Sequence, residues 1–259
     1  MRALGALGVV AVCSSVLAAA GSPAESRAPN LFDTVIIDAG HGGDDKGARS
    51  SAGLLEKDLV LDVANRVADR LRMSGLRVVM TRTDDRFIAL EERTSVANDA
   101  RGDLFVSIHA NATPDPEVRG IETFFLALDA SDDSASAVAK RENQALGRSS
   151  ARPGDDAFMA MIGDLIVTEH LEESNEFARL AQGELATGSE ARGVKQAPFV
   201  VLEGVQMPAS LVEIGFLTNR QDEKLLSDSR GRDRIVAALV RATLEFGRRY
   251  DLRRGSGSR

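Results

Sequence analysis

Apolar positions along the chain switch between two periods. "TVIIDA", residues 34–39, is a continuous apolar run of buried-strand length. After a glycine-rich turn it gives way to "EKDLVLDVANRVADRLRMSG", where Val60, Val63, Ala64, Val67 and Leu71 recur at helical spacing and Gly75 supplies the stop. "LRVVMTR" predicts a strand, "IALEERTSVANDAR" a second helix through Leu90, Val96, Ala97 and Ala100, and "DLFVSIHA" and "IETFFLAL" two more strands. Residues 129–185 change character: acidic, Ala-rich and Ser-rich stretches carry helical periodicity, as in "DDAFMAMIGDLIVTEHL" and "ESNEFARLAQGEL", with no strand signal. "APFVVLE" and "ASLVEIGF" restore the strand signal, and "DRIVAALVRATLEFGRRY" predicts a closing amphipathic helix. Alternating strands and helices imply an α/β fold. The expected form is a mostly parallel or mixed central sheet with helices on both faces, plus a helical insertion before the last strands.

The 259 residues, 43% hydrophobic, suffice for one sizeable core, and one domain is expected over residues 31–252. A formal charge of −7 leaves no basic face for a phosphate backbone, which excludes nucleic acid as a partner. Residues 1–20 join Arg2 to a short apolar stretch and an Ala18-Ala19-Ala20 end, the layout of a secretory signal peptide. The run from Ala6 to Ala20 is too short for a membrane span, and no later segment qualifies. Cys13 lies inside this leader, and it follows Val12 where a lipoprotein signal needs a small residue. Cleavage near Ala20 would leave a cysteine-free chain with its charge moved from −7 to −8 by loss of Arg2. Residues 21–30 read as a polar linker and residues 253–259 as a flexible tail. Export to the periplasm is expected, with secretion or the cell wall as the fallback.

Two of the three histidines stand at strand exits: His41 after "VIIDAG" and His109 at the end of "LFVSIH", while Glu213 ends "SLV". In open α/β sheets ligands bind beyond the carboxyl ends of strands, so these exits can converge on one crevice. Glu56 begins the first long helix just after the loop that leaves His41. Two histidines and a glutamate suit catalytic zinc with one position open for water. Each residue also has a plainer reading. His41 alone is a loop histidine, and Glu56 alone a first-turn carboxylate favoured by the helix dipole. The glycines at 40, 42 and 43 permit close approach at the His41 exit, and a carboxylate flanked by Val212 and Ile214 is costly to bury without a partner. His170, between Glu169 and Leu171, lacks any such setting and reads as a surface or satisfied helix residue.

"IIDAGHGGDDKGA", "LLEKDLVLDVANRVADRL", "TRTDD", "VSIHANA", "GIETFFL", "RGVKQAPFVVL" and "PASLVEIGFLTN" occur in the order that resembles the zinc-dependent N-acetylmuramoyl-L-alanine amidases of cell walls. The resemblance spans roughly Thr34 to Tyr250 and implies that His41, Glu56 and His109 bind one Zn²⁺ and that Glu213 is the catalytic carboxylate. It implies cleavage of the amide joining the lactyl group of N-acetylmuramic acid to L-alanine of the peptidoglycan stem peptide.

The block 129–185 looks like the enlarged regulatory insertion of the periplasmic division amidases, and "AKRENQALG", residues 139–147, resembles their inhibitory stretch. Glu142 is then the autoinhibitory candidate, a fourth ligand that closes the open position until an exported activator protein moves it. The plainer reading is a solvated helix residue beside Lys140 and Arg141. Phe158, Met159, Met161, Ile162, Leu165 and Ile166 form either a face for that activator or packing of the insertion itself. With no targeting domain or wall-binding repeat visible, localisation must come from a partner or diffusion, and a monomer is expected. Two alternatives use the same inventory: a zinc carboxypeptidase acting on wall peptides, and a silent peptidoglycan-binding module, which predicts the loss of a ligand or of Glu213.

Overall fold

A computed structural model describes residues 31–144 and 155–256, with the side chains of 155–169 and 255–256 outside the description. The leader, the linker and the apolar positions from Phe158 to Ile166 named above therefore lie outside the described residues or side chains.

Six strands form one mixed sheet: β1 (Thr34–Ala39), β2 (Arg77–Met80), β3 (Leu104–Asn111), β4 (Ile121–Leu126), β5 (Ala191–Ala197) and β6 (Ala209–Phe216). Their spatial order is β2-β1-β3-β6-β4-β5. The first four in this order are parallel, β4 runs antiparallel to β6, and β5 is parallel to β4. Among the described residues six α-helices accompany them: α1 (Glu56–Met73), α2 (Leu90–Ala100), α3 (Asp133–Glu142), α4 (Asp155–Leu185), α5 (Arg220–Ser227) and α6 (Ser229–Ser256).

The periods read from the sequence map onto two cores. On one face Val35, Ile37, Val106, Ile108, Val212 and Ile214 pack with Val60, Val63, Ala64, Val67 and Leu71 of α1 and with apolar residues of α4 and α6. On the other, Ile36, Phe105, Phe124 and Leu211 pack with Ala97 of α2 and Ala135, Val138 and Ala139 of α3. Each large aliphatic or aromatic side chain fully buried this way contributes about 1.5–3 kcal/mol. The strands of the first core alternate residues with those of the second, so a one-residue slip would exchange the two faces.

The insertion precedes the last two strands and supplies α3 and α4. One strand lies earlier than its apolar signal suggested. "APFVVLE" is not a strand: Val200–Leu202 form a 3₁₀ turn whose Val201 and Leu202 side chains join the second core. The strand is "ARGVKQA" before it, an edge strand only partly buried along most of its length. Edge strands tolerate charge and need no continuous apolar run, which hid this one. α5 had no apolar run of its own, and α6 continues to Ser256, past the start of the expected tail.

Candidate metal centre and active site

β1, β3 and β6 deliver their carboxyl ends to one edge of the sheet, and the antiparallel β4 begins there. At the exit of β1 the chain turns through Gly40 into His41, whose φ of 58° is left-handed. That conformation is unusual for a side-chain-bearing residue and persists only when the surroundings enforce it. Two buried arginines do so. Arg93 donates to the carbonyls of Ala39 (2.6 Å) and His41 (2.7 Å), and Arg82 to those of Ala39 (2.9 Å) and Gly40 (2.8 Å). Arg93 is neutralised by the fully buried Asp38 at 2.7 Å. Gly40 is required because a Cβ there would stand 2.4 Å from the His109 ring.

His41 Nδ1 pairs with Asp45 Oδ2 at 2.9 Å, which turns Nε2 inward. There Nε2 lies 3.0 Å from Glu56 Oε1 and 3.2 Å from Glu142 Oε2. His109 Nδ1 meets the same two carboxylates at 3.2 and 3.0 Å. Backbone donors fix Glu56: Ala110 N–H to Oε1 at 3.0 Å and Ala48 N–H to Oε2 at 2.7 Å. His41, Glu56, His109 and Glu142 thus each offer a ligand atom, all within 4.8 Å of one another.

Glu213 partners His109 across β3 and β6 and is fully buried. Neither of its oxygens has a hydrogen-bond partner among the described residues. Burial first, then the nearby Glu142 carboxylate, push its pKa well above the usual carboxylate range, against the pull of Arg141. The guanidinium of Arg141 lies 2.9 Å from Glu142 Oε1 and 3.6 Å from Glu213 Oε1, and it donates to the Ala112 carbonyl at 2.6 Å.

This donor set fits a zinc ion. Imidazole nitrogens and carboxylate oxygens are its ordinary ligands, and His41 Nε2 and Glu142 Oε2 are buried, aimed at the common centre and without a hydrogen bond. Electrostatics call for positive charge at that centre. Burial lowers the His109 pKa, but Glu142 and Glu56 outweigh it and raise the imidazole to about 9. The same balance, with Glu56 and Asp45 prevailing over burial, raises His41. Glu56 falls to about 2, burial being outweighed chiefly by His41.

The sequence profile described as N-acetylmuramoyl-L-alanine amidase matches residues 35–245. The chain belongs to this amidase family. It is similar to the N-acetylmuramoyl-L-alanine amidase AmiA of Escherichia coli K12, 33% identical over 222 residues that cover 84% of this chain and 77% of AmiA. LytC of Bacillus subtilis is 33% identical, with 85% of this chain and 36% of LytC covered. A crystal structure of the amidase from Clostridium difficile 630 has a TM-score of 0.63 at 30% identity, covering 83% of this chain and 96% of that one. AmiC2 of Nostoc punctiforme follows with a TM-score of 0.62 at 29% identity, covering 83% and 98%.

In this amidase the structure brings together the His41, Glu56, His109 and Glu142 singled out in the sequence and sets Glu213 beside them in the next strand. His170 stays apart, 3.3 Å from Glu173 within its own helix. Asp45, Arg82, Arg93 and Arg141 went unrecognised as parts of the site. For Asp45 the spacing of four residues after His41 was visible in "HGGDD", and Arg141 stood next to Glu142; Arg82 and Arg93 carry no local signal, because they chiefly hold the carbonyls of the distant β1 exit and, for Arg93, the distant Asp38.

Proposed function

We propose that this amidase is zinc-dependent and hydrolyses the amide between N-acetylmuramic acid and L-alanine of peptidoglycan stem peptides. The convergence of four ligand atoms within 4.8 Å beside a buried, unpartnered Glu213 carries the reading. His41 Nε2, His109 Nδ1 and Glu56 would hold the metal. Asp45 orients His41, and the Ala48 and Ala110 amides orient Glu56. Zinc held there supplies a Lewis acid that polarises a carbonyl and makes water acidic enough to attack near neutral pH.

Glu213 moves the protons. Its raised proton affinity suits a group that takes a proton from the attacking water and returns it to the leaving L-alanine nitrogen. Breaking the C–N bond then yields a lactyl carboxylate and a free amine. In the resting arrangement α3 opposes this reaction, because Glu142 lies against both histidines, where it would compete for the metal, and Arg141 lies against Glu213. A partner that draws α3 away opens the cleft, which makes the helix a two-state switch. The remaining expectations belong to the same proposal: a leader over 1–20, export to the periplasm, a regulatory insertion over 129–185, an exported activator protein and a role in daughter-cell separation. No helix among the described residues is long and apolar enough to cross a membrane.

Chelation tests the metal claim. Peptide release from peptidoglycan is expected to stop in chelator and return with one equivalent of zinc per chain. Full activity in chelator contradicts it.

A further inference from the structure

The "RGVKQA" stretch of β5 carries two cations that the reaction leaves unused. Arg192 Nε and Lys195 Nζ both donate to Oε1 of Glu122, at 2.7 and 2.9 Å, and Asn111 Nδ2 donates to Oε2 at 3.1 Å. Glu122 is fully buried, so its carboxylate anchors both cations firmly at the sheet edge. Glu122 neutralises one of the two positive charges, and the second is met from outside the sheet by Asp132 at the start of α3. The Arg192 guanidinium also stacks over Phe216, 5.3 Å from its centroid, and among the described residues Glu122 alone accepts a hydrogen bond from it. Its terminal nitrogens keep free donors in the fork that suits a carboxylate.

Lys195 has one more partner. Asp132 Oδ2 lies 3.2 Å away and caps the start of α3, whose last residue Glu142 reaches the metal centre. The resting helix therefore sets one carboxylate at the ligand cluster and another at the cation pair.

We infer that Arg192 and Lys195 form a subsite for a carboxylate of the stem peptide, held in the resting state by Asp132. The inference rests on the amidase reading with Glu213 at the leaving nitrogen. Glu122 pairs with Glu213 across β4 and β6 and with Gly193 across β4 and β5. The β4 and β5 backbones therefore lie one and two strand spacings of about 4.8 Å from β6, and the cations held on Glu122 fall roughly 5–10 Å from Glu213. A peptide advances at most about 3.3–3.6 Å per residue, so the recognised carboxylate belongs to the second or third stem residue.

The test compares soluble disaccharide-peptides whose second or third residue carries either a free carboxylate or the corresponding carboxamide. Zinc-loaded full-length chain is used, as wild type and as Glu142→Ala. One free acid is expected to be cleaved with about tenfold higher kcat/KM than its amide, through KM, as for loss of a charge-assisted hydrogen bond. Arg192→Gln should abolish that preference by raising KM for the acid alone, with kcat within about twofold. Equal kcat/KM for acid and amide overturns the subsite without any variant. So does Arg192→Gln impairing both substrates alike, which is the mark of a structural role. Cleavage of no substrate by either form overturns the amidase reading beneath it.

Discussion

His109 and Glu213 are register partners in adjacent parallel strands, so one sheet edge carries both an imidazole of the candidate metal cluster and a buried carboxyl group without a hydrogen-bond partner among the described residues. Their separation of roles is fixed by surroundings. His109 faces two carboxylates, while Glu213 is shut off from solvent and meets no hydrogen-bond donor among the described residues. Glu213→Gln keeps shape and removes proton transfer. It is expected to fold, to retain one zinc and to hydrolyse muropeptide at least ~100-fold more slowly. A near-native rate removes Glu213 from the mechanism.

Glu142→Ala withdraws the carboxylate that α3 sets against His41 and His109. Buried charged contacts of this kind are worth on the order of 1.5–3 kcal/mol, enough to shift the closed-to-open balance by on the order of 10- to 100-fold. Basal release of peptide from peptidoglycan should rise accordingly without any activator. Unchanged turnover denies α3 its inhibitory role.

Zinc uptake should expel protons. With His109 at about 9 in the metal-free protein and His41 raised as well, both imidazoles carry a proton at pH 7 that the metal must displace. Calorimetric heats of binding should therefore vary with the ionisation enthalpy of the buffer, and affinity should climb with pH up to about 9. For the metal-free protein the sign is opposite. A raised imidazole pKa stabilises the fold fully below the unfolded value near 6.5, and that contribution is lost as pH rises through about 9. Buffer-independent heats contradict this charge assignment.

Asp38 supports the His41 exit from below. Burial raises its pKa, but Arg93 and the hydroxyls of Thr81 and Ser107 prevail and hold the carboxyl below its ordinary range. A depressed carboxyl stabilises above the unfolded value and loses that contribution as pH falls through the folded one. Asp38→Asn leaves Arg93 buried without its counter-charge and should cost about 3–5 kcal/mol at pH 7. The gap to wild type in denaturant unfolding should shrink below about pH 4. A pH-independent difference contradicts the ion-pair account.

The sheet's interior was legible because β1, β3 and β6 are buried on both faces and read as continuous apolar runs. β5 was misplaced by one segment because edge residues such as Arg192 and Lys195 face charge, while the neighbouring Val200–Leu202 are core without being strand. His41, Glu56, His109 and Glu213 stood out by their position at element ends. Arg82 and Arg93 did not, since a guanidinium that holds carbonyls of a distant turn leaves no periodic trace. Glu142 was found through resemblance, and its closeness to both histidines is a tertiary fact.

The central claim concerns which bond is cut. Zinc-loaded chain, wild type and Glu142→Ala, should be incubated with intact peptidoglycan and the released fragments weighed by mass spectrometry. The predicted products are intact stem peptides beginning at a free L-alanine amine, with the glycan retaining its lactyl carboxylates. Release of single carboxy-terminal amino acids would make the protein a carboxypeptidase, and binding without release by either form would make it a silent module; both results contradict the account.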